Sequence, residues 1–285
     1  MNFVHTLRRR WHAADSMLCV GLDPDPSRLP PHLGGGLDAI ERFCRDIVAA
    51  TADAVCAFKP QIAYFAAQGA EDVLARLIAH IHTTYPGIPV ILDAKRGDIG
   101  STARQYGIEA FERFGADALT LSPFMGFDSI EPYFDWSDRG LILLCRTSNP
   151  GGNDLQALPI QTDPDDVTMP HAECLYERIA RLAADPWNRH GQLGLVVGAT
   201  YPEELARVRA LAPKLPLLVP GVGAQGGDVD ATVRAGLDAE GYGLIINSSR
   251  AILYAGRDVD YAHQARTAAL ATRDAIRAAR QALRP

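Results

Sequence analysis

Short apolar runs alternate with amphipathic helical patterns eight times along this chain, and that alternation limits the fold more than any other feature. Strands are predicted at 17–22, 54–58, 88–93, 118–122, 141–146, 194–198, 217–220 and 244–247. Helices are predicted at 38–52, 69–84, 101–115, 127–135, 170–188, 202–211, 227–235 and 259–282. Continuous apolar strands, each followed by a helix, imply a parallel sheet covered on both faces. Eight such units within 285 residues predict an α/β fold, one closed (β/α)8 TIM barrel occupying residues 1–285 as a single domain. A doubly wound open sheet is the competitor, but no G-x-G-x-x-G follows the first strand. The segment 149–169, rich in Pro, Gly and Asp, is read as an insertion after strand five, over the active-site end. A short N-terminal helix would carry Phe3, Val4, Leu7 and Trp11 on one face.

Charge and cysteine content narrow the partners. Lys and Arg total 28 against 34 Asp and Glu, a net charge of −6, and no long basic run occurs. Neither nucleic acid nor an anionic membrane is expected as a partner. The apolar runs stop short of a membrane span, and no signal-type apolar stretch follows Arg8-Arg9-Arg10. Cys19, Cys44, Cys56, Cys145 and Cys174 are odd in number and form no C-x-x-C pair, which fits a reduced, cytoplasmic protein. His80 and His82 lie two apart, the wrong spacing for one helix face, so no metal site is expected.

In a barrel of this kind chemistry gathers at the carboxyl ends of the strands. Polar residues recur there: Asp23 after strand one, Lys59 after strand two, and Asp93, Lys95 and Asp98 at strand three. Arg146-Thr147-Ser148-Asn149 closes strand five, and Asn247-Ser248-Ser249-Arg250 closes strand eight. Asp93 and Lys95 are two apart, so in a regular strand they share a face. Charge placed where an apolar run enters a core is expensive unless it is paired. Two carboxylates and an ammonium at one strand exit therefore read as an active site. The plainer alternative is a surface ion pair beside a helix capped by Asp98 or Ser101, which explains neither the inward pair nor the lysine. Lys59 has its own alternative, an exposed lysine before a turn at Pro60.

The loop Pro220-Gly221-Val222-Gly223-Ala224-Gln225-Gly226-Gly227 has the mechanics of a phosphate site. Glycines let backbone N–H groups approach an anion, and Arg250 can grip phosphate oxygens with a bidentate fork. A tight turn opening a helix is the alternative.

The segment Asp93-Ala94-Lys95-Arg96-Gly97-Asp98-Ile99 resembles the signature of the orotidine 5′-phosphate decarboxylase family. So do Gly21-Leu22-Asp23-Pro24, Phe58-Lys59-Pro60, Thr147-Ser148-Asn149-Pro150-Gly151 and the glycine loop after strand seven. The likeness runs from about residue 15 to 255 and is to the family's second bacterial type. It implies decarboxylation of orotidine 5′-monophosphate to uridine 5′-monophosphate, the last step of de novo pyrimidine synthesis, without metal or organic cofactor. By motif, Asp93 would face the substrate carboxylate, and Lys95 would stabilise the C6 carbanion and protonate it. Lys59 would join the charged network and hold ribose, and Asp23 would bind a ribose hydroxyl. Asp98 and Thr102 would reach across a homodimer interface into the partner's site. Ser148 would hydrogen-bond the pyrimidine, and Gln225 and Arg250 would hold the phosphate.

One loop departs from the family pattern, with Ser122 where Asn precedes the proline and Phe124 where Tyr follows it. Two rival readings remain. A sister sugar-phosphate decarboxylase would work through an enediolate stabilised by Mg²⁺, so metal dependence separates the two. A nucleotide-binding regulator on the same fold would bind ligand without releasing CO₂.

Overall fold

The computed structural model describes residues 2–161, 172–222 and 228–283. Eight strands form one all-parallel sheet: β1 (Leu18–Leu22), β2 (Ala57–Pro60), β3 (Ile91–Arg96), β4 (Ala118–Leu121), β5 (Gly140–Arg146), β8 (Leu193–Val197), β9 (Leu217–Val219) and β10 (Leu244–Ser248). The order β2-β1-β10-β9-β8-β5-β4-β3 is that of a barrel opened at one seam. Isolated parallel bridges Phe58–Val90 and Gln61–Asp93 span that seam between β2 and β3. The expected (β/α)8 barrel is thus present and nearly closed. Its strands are apolar on both sides because one side fills the barrel and the other meets the helices.

The helices are α1 (Phe3–Ala14), α2 (Gly36–Thr51), α3 (Ile62–Ala66), α4 (Glu71–Thr84), α5 (Gly100–Gly107), α6 (Leu175–Ala184), α7 (Pro202–Leu211), α8 (Val229–Gly236), α9 (Arg250–Leu253) and α10 (Tyr261–Gln281). Helix α1 buries Phe3, Leu7 and Trp11, with Val4 half-buried, as its spacing predicts. It covers the amino-terminal end of the barrel. Phe3 lies where a side chain on Gly140 would collide with its ring, 2.3 Å from the ring carbon.

Three expectations need correction. The predicted helix 127–135 is instead two 3-10 turns, Phe127–Ser129 and Glu131–Asp135. Pro132 lacks the N–H a continuous helix needs, and Gly126, at φ 78°, breaks the chain direction before it. The predicted helix 101–115 is α-helical only to Gly107 and continues as a π turn over Ile108–Arg113. Trp136 packs against Gly107 there, 2.3 Å from where a Cβ would lie. The predicted helix 170–188 begins at Leu175, because Ala172–Cys174 (β7) pairs antiparallel with Pro159–Gln161 (β6). Glu177 then accepts the Cys174 N–H at 2.7 Å and sets the helix start. Much of the expected 149–169 insertion lies outside the described residues, and its first part is a 3-10 turn, Pro150–Asp154, leading into β6.

Candidate active site

Strand boundaries decide where the charged residues sit. β2 and β3 each run further toward the carboxyl end than the apolar pattern predicts, so Lys59 lies within β2, and Lys95 joins Asp93 within β3. Charged residues can extend a strand inside a barrel only if they satisfy one another. These do. Lys59 Nζ donates to Asp93 Oδ2 at 2.8 Å, and Lys95 Nζ donates to Asp93 Oδ1 at 2.6 Å. One carboxylate is thus held between two ammonium groups. Lys59 and Asp93 are buried, which excludes the exposed-lysine alternative, whereas Lys95 opens to the cavity with its side chain 46% exposed.

The pair Asp93 and Lys95 forms as expected, but not through regular strand alternation. Between the pairings Leu92–Leu119 and Arg96–Leu121 the register shifts, four residues of β3 advancing against two of β4. Lys95 takes a left-handed backbone at φ 48°, which is rare outside glycine and costs on the order of 1–3 kcal/mol. Thr120 holds this bulge. Its hydroxyl oxygen accepts the N–H groups of both Ala94 and Lys95 at 3.0 Å and its O–H donates to Asp93 Oδ1 at 3.0 Å. Sequence reasoning missed Thr120, since threonine is an ordinary strand former; the available signal was one polar side chain in the apolar run of β4. Arg96 secures the exit of the bulge by pairing with Glu109 of the π turn at 2.8 Å. Ser122 donates its N–H to the Arg96 carbonyl at 2.7 Å, so the departing loop supports the bulge through its backbone.

The electrostatics follow from this packing. Burial works against the charge on Asp93, but Lys59 and Lys95 outweigh it and hold the carboxyl well below the usual carboxylate range. Burial likewise opposes the Lys59 charge, and the Asp93 and Asp23 carboxylates more than offset it, raising that ammonium above its ordinary value. Both groups are therefore ionised at neutral pH.

Two adjoining cavities flank the array. One, of about 230 Å³, is lined by Lys59, Asp93, Lys95, Thr120, Ser148 and Asn149 among others. The other, of about 190 Å³, is lined by Asp23, Lys59, Gly221, Asn247, Ser249 and Arg250 among others. Lys59 and Pro220 belong to both walls. Asp23 and Asn247 each keep a buried side-chain oxygen, Oδ1, that has no hydrogen-bond partner among the described residues. Gly21 is required beside them, because a Cβ there would lie 1.8 Å from Ser249 Oγ.

Of the expected site residues, Lys59, Asp93, Lys95 and Ser148 share one cavity, and Asp23 and Arg250 share its neighbour. Asp98 and Thr102 line neither. Asp98 accepts the Ile99 N–H at 2.8 Å, and α5 starts after Ile99 with no side-chain cap, so the capping alternative fails for both Asp98 and Ser101. Gln225 and the glycines 223–227 lie outside the described residues. Among the described residues no group of three or more His, Cys, Asp or Glu side chains is arranged to hold a metal ion.

Fold and site together define a (β/α)8-barrel enzyme with a Lys-Asp-Lys array at the carboxyl ends of its strands. The chain belongs to the Orotidine 5'-phosphate decarboxylase / HUMPS family, whose model matches residues 16–265. It is 65% identical over 276 residues to an orotidine 5'-phosphate decarboxylase of Aromatoleum aromaticum, covering 97% of this chain and 98% of that protein. Identity to the Azoarcus sp. protein of the same name is 64% over 280 residues, covering 98% of this chain and all (100%) of the relative. The solved structure of Leishmania donovani OMP decarboxylase superimposes with a TM-score of 0.81 at 40% identity, over 99% of both chains.

Proposed function

We propose that this enzyme decarboxylates orotidine 5′-monophosphate to uridine 5′-monophosphate and CO₂, the closing step of de novo UMP synthesis, without metal or organic cofactor. The observation that carries the reading is the array itself: a buried carboxylate gripped by two lysines, one of them open to a cavity that adjoins a second cavity bearing Arg250. Breaking the C6–carboxylate bond leaves an electron pair in the ring plane, where the π system cannot spread it. Lys95 Nζ, held in place by Asp93, stands as a preorganised positive charge for that pair. It then gives C6 the proton that completes the product, and solvent reprotonates the amine. Asp93 faces the departing carboxylate, and their repulsion ends as neutral CO₂ leaves.

The second cavity takes the ribose 5-phosphate part. Asp23 Oδ1 and Asn247 Oδ1 are unsatisfied acceptors suited to ribose hydroxyls, and Lys59 bridges ribose and array. Arg250 and Gln225 hold the phosphate, whose binding energy can be spent on closing the site over the ring. Ser148 meets the pyrimidine. The Mg²⁺-dependent sister chemistry makes a different prediction. With purified enzyme in excess EDTA, orotidine 5′-monophosphate absorbance should fall with release of one CO₂ per nucleotide. Turnover only with added Mg²⁺, or only of a sugar phosphate, would overturn the assignment.

We also infer a homodimer with shared sites. Ile99, Phe124 and Met125, on the loops after β3 and β4, are 51%, 77% and 50% exposed. Exposed apolar side chains on loops at the carboxyl ends of the strands support a partner surface there, and Asp98 and Thr102 follow β3 in the same part of the chain, in keeping with a role in the partner's site. Mixing Lys95→Ala with Asp98→Ala chains should then restore about one quarter of wild-type activity, since half the dimers are mixed and each has one intact site. Mixtures as inactive as their parents would show a self-contained site. Five unpaired cysteines fit a cytoplasmic location.

A further inference from the structure

Arg146, the last residue of β5, is 2% exposed; among the fully buried side chains of the described residues only Trp11 is larger. Its Nε donates to Glu204 Oε2 at 2.6 Å, and its Nη2 donates to Asn153 Oδ1 at 2.6 Å and to Glu204 Oε1 at 3.3 Å. The Tyr201 ring covers the guanidinium at 4.9 Å. Nη1 is buried without a partner among the described residues, 2.5 Å from where a Cβ on Gly152 would stand. One cation thus ties together the end of β5, the 3-10 turn Pro150–Asp154 and the first turn of α7.

Ser148 and Asn149 lie between those anchors and line the cavity beside Lys95. Their backbone is held at further points. Gly198 donates its N–H to the Arg146 carbonyl at 2.7 Å. The Thr147 N–H donates to Gln156 Oε1 at 2.7 Å, and Thr200 Oγ1 donates to the Ser148 carbonyl at 3.3 Å. Ser148 sits directly on Gly198, where a Cβ would come within 2.7 Å of its Cα. A buried ion pair is poor value for stability alone, since apolar residues of similar size usually serve as well. What a bidentate guanidinium supplies is fixed geometry.

We propose that Arg146 is a positioning residue for base recognition: it holds the 147–156 segment, and with it Ser148, at the separation from Lys95 that fits a pyrimidine ring. The role rests on the reading that Ser148 meets the base. It also separates two recognition functions, because Arg146 is not among the described residues that line the Asp23–Arg250 cavity, which its loss should leave unchanged.

The test compares binding of uridine 5′-monophosphate with binding of ribose 5-phosphate, which lacks the base, by calorimetry on the intact enzyme. Arg146→Met removes the cation. Gly152→Ala keeps every charge but adds a methyl against Nη1, and it carries the test if Arg146→Met does not fold; Gly152 has no positive φ that alanine would resist. In both variants uridine 5′-monophosphate should bind about tenfold more weakly, with kcat/KM falling in step, while ribose 5-phosphate stays within about twofold. Equal weakening of the two ligands, or unchanged nucleotide binding, would overturn the role. Ser148→Ala separates the two levels of the argument. If it leaves the preference for the nucleotide unchanged, the base contact itself is misassigned; if it lowers that preference and the Arg146 and Gly152 variants do not, only the positioning role fails.

Discussion

Lys95→Ala is expected to lower kcat by about four orders of magnitude or more while the protein stays folded. In the proposed mechanism the side chain supplies both the positive charge beside the developing electron pair, worth about 10²–10³ in rate, and the proton that replaces CO₂, worth about 10²–10⁴. Folding should survive because Lys95 is the open member of the array, and its loss leaves the buried Lys59–Asp93 pair intact. The left-handed backbone at residue 95 is no easier for alanine than for lysine, so that strain is unchanged. Single-turnover assays, with circular dichroism as the folding control, give the measurement. A variant retaining a tenth of wild-type activity would remove Lys95 from the chemistry.

Arg209→Met is expected to cost about 3 kcal/mol or more of folding stability, lowering the thermal midpoint by about 6–10 °C, with kcat within about twofold of wild type. Arg209 is buried near the C-terminus of α7, and its guanidinium donates to five backbone carbonyls: Gly236 at 2.8 Å, Ala212 at 3.1 Å, Pro213 at 3.3 Å, Leu215 at 2.8 Å and Gly243 at 2.9 Å. Among the described residues no carboxylate forms a direct ion pair with it, although the Asp238 charge favours the guanidinium. Burial pulls the guanidinium down to about 10, still protonated at neutral pH. Together with Asp238, the carbonyl ends of α7 and α8 balance the charge, as the helix macrodipole favours. Methionine fills the volume but removes the donor from the Gly236, Pro213 and Leu215 carbonyls, while Ala212 and Gly243 keep the N–H groups of Leu215 and Leu217. Leu215 and Gly243 precede β9 and β10, so the knot lies at the barrel face opposite the array and chemistry should be spared. A calorimetric midpoint within about 2 °C of wild type would mean that the carbonyls find other donors at no cost.

The two arginines show where sequence reading stops. Arg209 in Glu-Leu-Ala-Arg-Val-Arg-Ala-Leu reads as a solvated residue in the last turn of a helix, and Arg146 as one more polar residue at a strand end. Neither pattern reveals burial, because each arginine is closed in partly by groups from other units: Glu204 is 58 residues from Arg146, and the Gly243 carbonyl is 34 from Arg209. The boundaries of β2 and β3 were misjudged for a related reason. Apolar periodicity ends at the first charged residue, yet the strands run on because Lys59, Asp93 and Lys95 neutralise one another across the seam. Asp98 follows from its place at the exit of strand three and Thr102 from the motif, yet neither lines either cavity in the single chain.

From the sequence by itself came the eightfold alternation, the barrel, the end of the barrel that bears the chemistry, and the motif that ties it to its family. Those properties are written in one dimension, as periodicity and as the order of short segments. Tertiary structure alone decided that Thr120 props a bulge, that Lys95 reaches Asp93 from a left-handed backbone, and that Arg146 and Arg209 are buried at opposite faces. Each depends on the register of neighbouring strands and on which helix lies over them. Those are sums of many packing contacts, and no local pattern in the chain encodes them.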